Sequence, residues 1–183
     1  MWLLRKLRSG SGIPQTHLPI HPNVAPEERR SSLAGVRVEL SENPDECLTI
    51  IDALINFNID RVGPNDYRML NVFMRDGAGQ IVGGLVGSTY WGWLSIAYFW
   101  IHRSWRGQGL GTAILRTAEE EAIRRGCYSA QVATFCFQNP EFYKANGYES
   151  YATLDDFPFG HRQYFFRKRL RACSGSSQPC APK

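Results

Sequence analysis

The sequence predicts an α/β protein built on one mixed, mostly antiparallel twisted sheet with helices on both faces. Three observations lead there. Apolar/polar alternation recurs in several short runs, as half-buried strands require. Two longer stretches carry apolar residues at helical spacing instead. A glycine-rich hexamer, Arg106-Gly107-Gln108-Gly109-Leu110-Gly111, joins a strand-like run to a helix-like one.

The elements follow in order. Gly35–Leu40 alternates apolar and polar residues and reads as a first strand. Ser41 or Asn43 can cap the next helix, with Pro44 in its first turn and Asp45 and Glu46 favouring the helix dipole. Cys47, Ile50, Ile51, Leu54 and Ile55 mark its apolar face, and it ends near Asn56–Asp60. A loop containing Gly63-Pro64-Asn65 follows. Met69–Arg75 and Gln80–Thr89 form a hairpin around Asp76-Gly77-Ala78-Gly79. Gly83, Gly84 and Gly87 inside its second strand signal a bulge or close approach by another group. Trp93–Ile101 is a third strand. Leu110–Arg125 is a helix, Ser129–Phe135 a strand, Asn139–Asn146 a short helix, and Tyr148–Leu154 with Gln163–Leu170 the closing strands. There are no internal repeats.

At 183 residues the chain suits a single core, with 43% hydrophobic and 13% aromatic residues. The formal charge of +4 is concentrated at one end: Arg5, Lys6 and Arg8 stand without an acid in residues 1–26, leaving 18 basic against 17 acidic residues elsewhere. That near balance argues against a nucleic-acid binder, which carries a concentrated basic face. Arg167, Lys168, Arg169 and Arg171 read as the solvated end of a last strand. Residues 1–33, with Ser9-Gly10-Ser11-Gly12 and four prolines, read as a flexible extension, residues 34–171 as the domain, and 172–183 as a disordered tail. No apolar run is long enough for a membrane span. Cys47, Cys127, Cys136, Cys173 and Cys180 are odd in number, with neither C-x-x-C nor His at zinc spacing, so reduced thiols in a cytoplasmic protein and no metal site are expected. Cys136 has no His beside it in sequence and reads as a buried or lining thiol.

The glycine loop is suited to an anion. Glycines admit close backbone approach, a helix start supplies unpaired N–H groups and positive potential, and Arg106 adds a full charge. It is no P-loop, because Gly111 is followed by Thr112-Ala113 rather than Lys-Ser/Thr. Nor is it a dinucleotide fingerprint, because the glycine step is wrong. A tight turn without a ligand remains the other reading of the hexamer alone.

A second motif, Phe142-Tyr143-Lys144-Ala145-Asn146-Gly147-Tyr148, lies about 30 residues downstream, after another strand-like run. Arg-x-x-Gly-x-Gly followed by Phe-Tyr-x-x-x-Gly-Tyr at this distance resembles the GNAT superfamily of acetyl-CoA-dependent N-acetyltransferases, over roughly residues 35–170. The resemblance implies the GNAT-like acyl-CoA N-acyltransferase fold, with acetyl-CoA as co-substrate. It places the pyrophosphate on Arg106, Gly107, Gln108, Gly109, Leu110, Gly111 and Thr112. The pantetheine arm would lie along Phe99, Trp100 and Ile101, in a splayed gap between strands, with Phe142 and Tyr143 beside it. Tyr143 would be the general acid toward the leaving sulfur. Where many relatives carry a strand carboxylate as base, Ser95-Ile96-Ala97-Tyr98 offers none. His102, Tyr98, or a water relayed from Glu141, Asp155 or Asp156 are candidates, or no base is needed.

For the acceptor, Tyr90, Trp91 and Trp93 flank a turn and could wall a pocket or a dimer contact. Asp155 and Asp156 in the loop before the last strand could attract a cationic amine, and Glu141 stands near. The chain also resembles a branch of small bacterial GNAT proteins that includes acetyltransferases of aminoglycosides such as kasugamycin. The expectation is therefore a homodimer acting on a small-molecule amine, without nucleic-acid or membrane partners. A protein or tRNA-linked amine, or a non-catalytic acetyl-CoA sensor, are the alternatives.

Overall fold

The computed structural model describes residues 37–171. They fall into two compact units divided after Gly63. The expected extension (1–33) and tail (172–183), with Cys173 and Cys180, lie outside the described residues.

In the first unit, helix α1 spans Pro44–Val62. The Asn43 side chain accepts a hydrogen bond from the Asp45 N–H at 3.0 Å, Pro44 occupies the first turn, and Asp45 and Glu46 face the positive end of the dipole. The helix runs past the expected end because nothing in Asn56–Val62 breaks it. Gly63 (φ +81°) stops it, its N–H bonding the Ile59 carbonyl at 2.8 Å. Residues 37–40, expected within a first strand, form none: a strand exists only where a neighbour completes its hydrogen bonds, and no strand pairs with them among the described residues.

The second unit holds a six-stranded sheet, with β1 (Arg68–Arg75), β2 (Ile81–Tyr90), β3 (Trp93–Ile101), β4 (Ser129–Phe135), β5 (Glu149–Asp155) and β6 (Arg162–Arg169). The spatial order is β1-β2-β3-β4-β6-β5. Only the β3–β4 pair is parallel. It needs a crossover, and the long helix α2 (Leu110–Arg124) supplies one. A short helix, α3 (Pro140–Ala145), connects β4 to β5.

α2 buries Ile114, Leu115, Ala118, Glu119 and Ala122, one face at helical spacing. It lies against β1, β2 and β3, whose inward residues Leu70, Leu85, Leu94 and Ile96 join Ala130, Val132 and Phe166 in the core. Glu119 is the exception on that face. Its Oε2 accepts from Lys168 Nζ on β6 at 2.7 Å, as a nearly buried carboxylate requires.

β2 carries its glycines where strands crowd. A Cβ on Gly87 would stand 2.6 Å from the Ser95 carbonyl oxygen, and one on Gly84 2.5 Å from that of Val72. Both anticipated features are present, because the β2–β3 register also slips between Val86 and Gly87.

Candidate functional site

That slip opens the site. Val86 pairs with Tyr98 and Gly87 with Ile96, so Ala97 bulges out of the ladder. A bulge bends its strand and increases local twist. On its other side β3 pairs with β4 from Trp93/Ser129 only as far as Ile96/Val132. Beyond that point β3 follows β2 to Ile101, while β4 stays with β6 as far as Phe135/Gln163. The sheet splits into a cleft of about 890 Å³. One wall is Ile96–Ile101 and the other is Val132–Thr134; the glycine loop and the turn into α3 close the ends. From Ala97 onward β3 is no longer paired with β4.

The glycine loop sits at the C-terminal end of β3. Gly107 and Gly109 both take φ +76°, with nothing within 4 Å of a would-be Cβ. They are there for backbone conformation, which a side chain would strain. Gly111 is different: its Cβ would meet the Phe142 ring at 3.1 Å and Ile101 at 3.4 Å, so it keeps α2 close to the cleft wall. Gly109 is the N-cap of α2 and offers no side-chain cap. Helix geometry leaves the N–H groups of Leu110, Gly111 and Thr112 without intrahelical acceptors. Arg106 Nε donates to the Ile101 carbonyl at 2.9 Å, which fixes the arginine beside the strand end. Gln108 Nε2 donates to the Ser104 carbonyl at 3.3 Å; neither Gln108 nor Leu110 lines the cleft, whereas Arg106, Gly107, Gly109, Gly111 and Thr112 do.

Phe142 and Tyr143 project from α3 onto the same cleft. Tyr143 is 6% exposed. Its ring packs against Phe142 (5.2 Å), Tyr148 (5.7 Å) and Phe166 (6.0 Å). Burial pushes its phenol up to about 12, so the group stays protonated through the physiological range and presents an O–H donor. Phe142 packs edge-on to Phe99 at 5.5 Å across the cleft floor.

Several expected site residues stand elsewhere. Tyr90, Trp91 and Trp93 lie at the opposite end of β3 and line a separate hollow of about 340 Å³ with Tyr128 and Gln131. There Trp93 Nε1 donates to the Tyr128 hydroxyl at 3.1 Å. The turn holds Trp91 and Gly92 both at positive φ. Glu141 is paired with Lys144 at 2.7 Å and Asp155 with Arg162 at 2.9 Å. Asp156 Oδ1 accepts from the Gly160 N–H at 3.2 Å. His102 Nδ1 accepts from the Ser104 N–H at 3.4 Å, capping the turn Arg103–Trp105. None of these lines the cleft. Among the described residues no Asp, Glu or His does, and Ala97 occupies the β3 position on its wall. Of the base candidates only Tyr98 faces it.

Sequence reasoning missed Phe137, Gln138 and Asn139, which close the far end of the cleft. Gln138 Oε1 accepts from the Phe135 N–H at 3.0 Å and the Thr134 hydroxyl at 3.3 Å, holding the turn that launches α3. Asn139-Pro140 was the available signal: Asn139 takes φ +81° and Pro140 begins the helix. Among the described residues no group of three His, Cys, Asp or Glu could hold a metal, and no helix is long and apolar enough to cross a membrane.

A strand split, a glycine-rich helix start and a buried tyrosine on a short helix therefore meet in one cleft. The chain matches the Acetyltransferase (GNAT) family over residues 37–148. It is 34% identical over 121 residues to acetyltransferase Atu2258 of Agrobacterium fabrum, covering 66% of this chain and 88% of that protein. It is 39% identical over 93 residues to the blasticidin-S acetyltransferase of Streptomyces morookaense, covering 50% and 68%. The crystal structure of an acetyltransferase from Bacillus cereus superposes with a TM-score of 0.69 at 31% identity, over 73% of this chain and 97% of that one. The chain belongs to the GNAT family of acetyltransferases and is an acyltransferase enzyme.

Proposed function

We propose that this enzyme moves an acetyl group from acetyl-CoA to the amine of a small molecule, an antibiotic of the kasugamycin or blasticidin type. The split between β3 and β4, ending at Tyr143, carries this reading. The cleft residues fit the cofactor. An elongated arm can pair with the unladdered edge of β3, and the N–H groups of Gly109–Thr112, with Arg106, suit a pyrophosphate. Acetyl-CoA, when bound, supplies the thioester.

The chain's own groups then have defined tasks. Backbone N–H groups near Ala97, which bulges out of the β2–β3 ladder, would donate to the thioester oxygen as charge grows there; such donors are worth about 2.7–4 kcal/mol. Tyr143 donates its O–H to the departing sulfur. Burial raises its phenol to about 12, so it keeps that proton available at neutral pH. Tyr143 is thus a hydrogen-bond donor that stabilises the thiolate, and the acceptor's surplus proton ends on the sulfur. Among the described residues no carboxylate or imidazole lines the cleft, so the amine enters neutral, loses its proton to water, or passes it to Tyr98.

The antibiotic class rests on the similarity to a blasticidin-S acetyltransferase and on charge. A cleft with Arg106 and, among the described residues, no acid favours an acceptor that carries a carboxylate beside its amine over a polycation. A homodimer in the cytoplasm belongs to the same proposal. The test is a panel of amines incubated with protein and acetyl-CoA while free thiol is followed. Thiol release with blasticidin S or kasugamycin, and none with peptides, is the expected result. Release with peptides alone would make the acceptor macromolecular, and cofactor binding without turnover on any amine would make the protein a sensor.

A further inference from the structure

One thiol meets a base that the sequence hides 25 residues away. The loop between β5 and β6 brings His161 Nδ1 to 3.5 Å from Cys136 Sγ, which starts the turn Cys136–Gln138 after β4. The imidazole is held in place. The His161 N–H donates to the Pro158 carbonyl at 2.8 Å and its carbonyl accepts from the Phe157 N–H at 3.1 Å. Its ring meets Phe137 edge-on at 5.1 Å, and Phe137 in turn stacks on Phe135 at 5.2 Å. A nucleophile within hydrogen-bond reach of a base, with the base oriented by a third group, is the arrangement that activates a thiol.

The other described cysteines lack it. Cys127 is 2% exposed, and burial pushes its thiol up. Cys47 is exposed, with the Asn43 carbonyl at 3.6 Å as its hydrogen-bond partner. Cys136 is half-buried, so a small reagent can reach it. Neither Cys136 nor His161 lines the acetyl-CoA cleft, and acetyl transfer makes no use of them.

We infer that Cys136 and His161 form a thiol-modification site that undergoes thiol–disulfide exchange with low-molecular-weight disulfides. His161 accepts the Cys136 proton, and the sulfur attacks one sulfur of the disulfide. The protein–reagent S–S bond forms, the reagent's own S–S bond breaks, and the departing thiolate takes up the proton. An adduct on Cys136 displaces the His161 ring from its contacts with Cys136 and Phe137. It therefore disturbs Phe137, which lines the cleft. That consequence, unlike the reactivity, rests on the acetyl-CoA reading of the cleft.

The test treats the full chain with dithiobis(nitrobenzoate) near neutral pH and maps the mixed disulfides by peptide mass. Cys136 should react about tenfold faster than Cys47. The two rates should converge in unfolding urea, and His161→Gln should remove the advantage. Equal native rates at Cys136 and Cys47 would overturn the site, as would an advantage that survives in folded His161→Gln. Should that variant not fold, the native-against-urea comparison decides alone. Modification should weaken acetyl-CoA binding in the parent chain and not in Cys136→Ser; unchanged binding overturns the link to the cleft while the mapped reactivity stands on its own.

Discussion

Removing one oxygen, by Tyr143→Phe, separates the tyrosine's chemistry from its packing. The ring contacts with Phe142, Tyr148 and Phe166 survive the change, so the cleft keeps its shape. The lost group is a hydroxyl held protonated by burial, near 12. As a donor to a developing thiolate it is a hydrogen bond to a charged group, worth about 1.5–3 kcal/mol. In kcat that is roughly a 10- to 150-fold fall, with KM for acetyl-CoA little changed because the bond matters only as the sulfur departs. Steady-state thiol release measures both. The same shift leaves a mark on stability. Below about pH 10 the phenol is neutral folded and unfolded, and its contribution is intact. As pH rises from about 10 toward 12, only the unfolded chain ionises, so the wild type loses about 2–3 kcal/mol that Tyr143→Phe does not. Denaturant titrations of both proteins across that window give the difference. Unchanged kcat in Tyr143→Phe would refute the donor role. A parallel alkaline decline in the two proteins would refute the burial argument.

The glycine loop makes two further tests. Gly109→Ala forces a side chain into φ +76°, costing about 1–2 kcal/mol; a lower melting temperature and weaker acetyl-CoA binding by calorimetry should both appear. Gly111→Ala leaves the backbone conformation acceptable but sets a Cβ 3.1 Å from the Phe142 ring, so KM for acetyl-CoA should rise with little loss of stability. Lys168→Met strips the cation from the nearly buried Glu119 and should destabilise the fold by about 3–5 kcal/mol in denaturant titration, with kcat of the folded fraction retained.

Most elements were legible because their signals are local. Trp93–Ile101 and Ser129–Phe135 match the expected strands, since apolar, β-prone runs mark both, with Gly92 and Gly126 shortly before them. Asn43-Pro44 and Gly63 punctuate α1 for the same reason, although its true end at Val62 awaited that glycine. Residues 37–40 show the limit: alternation is a property of the segment, but a strand is a property of a pair.

The candidate site divides the same way. Arg106, the glycines and Phe142-Tyr143 were readable because phosphate-suited loops and short capped helices are written in consecutive residues. The cleft itself was not, since it depends on where β3 leaves β4, a register slip at Ala97 that involves three strands. Distance decided the rest. Tyr90, Trp91 and Trp93 are neighbours of the cleft strand in sequence, yet they lie at its opposite end, while His161 reaches Cys136 because β6 pairs directly with β4, with Phe135 opposite Gln163. Residue type and spacing thus determined the fold class and the anion-suited glycine loop at the start of α2. Only chain packing decided that no carboxylate among the described residues lines the cleft and that His161 lies beside Cys136, because side chains far apart in sequence meet only once the sheet is assembled.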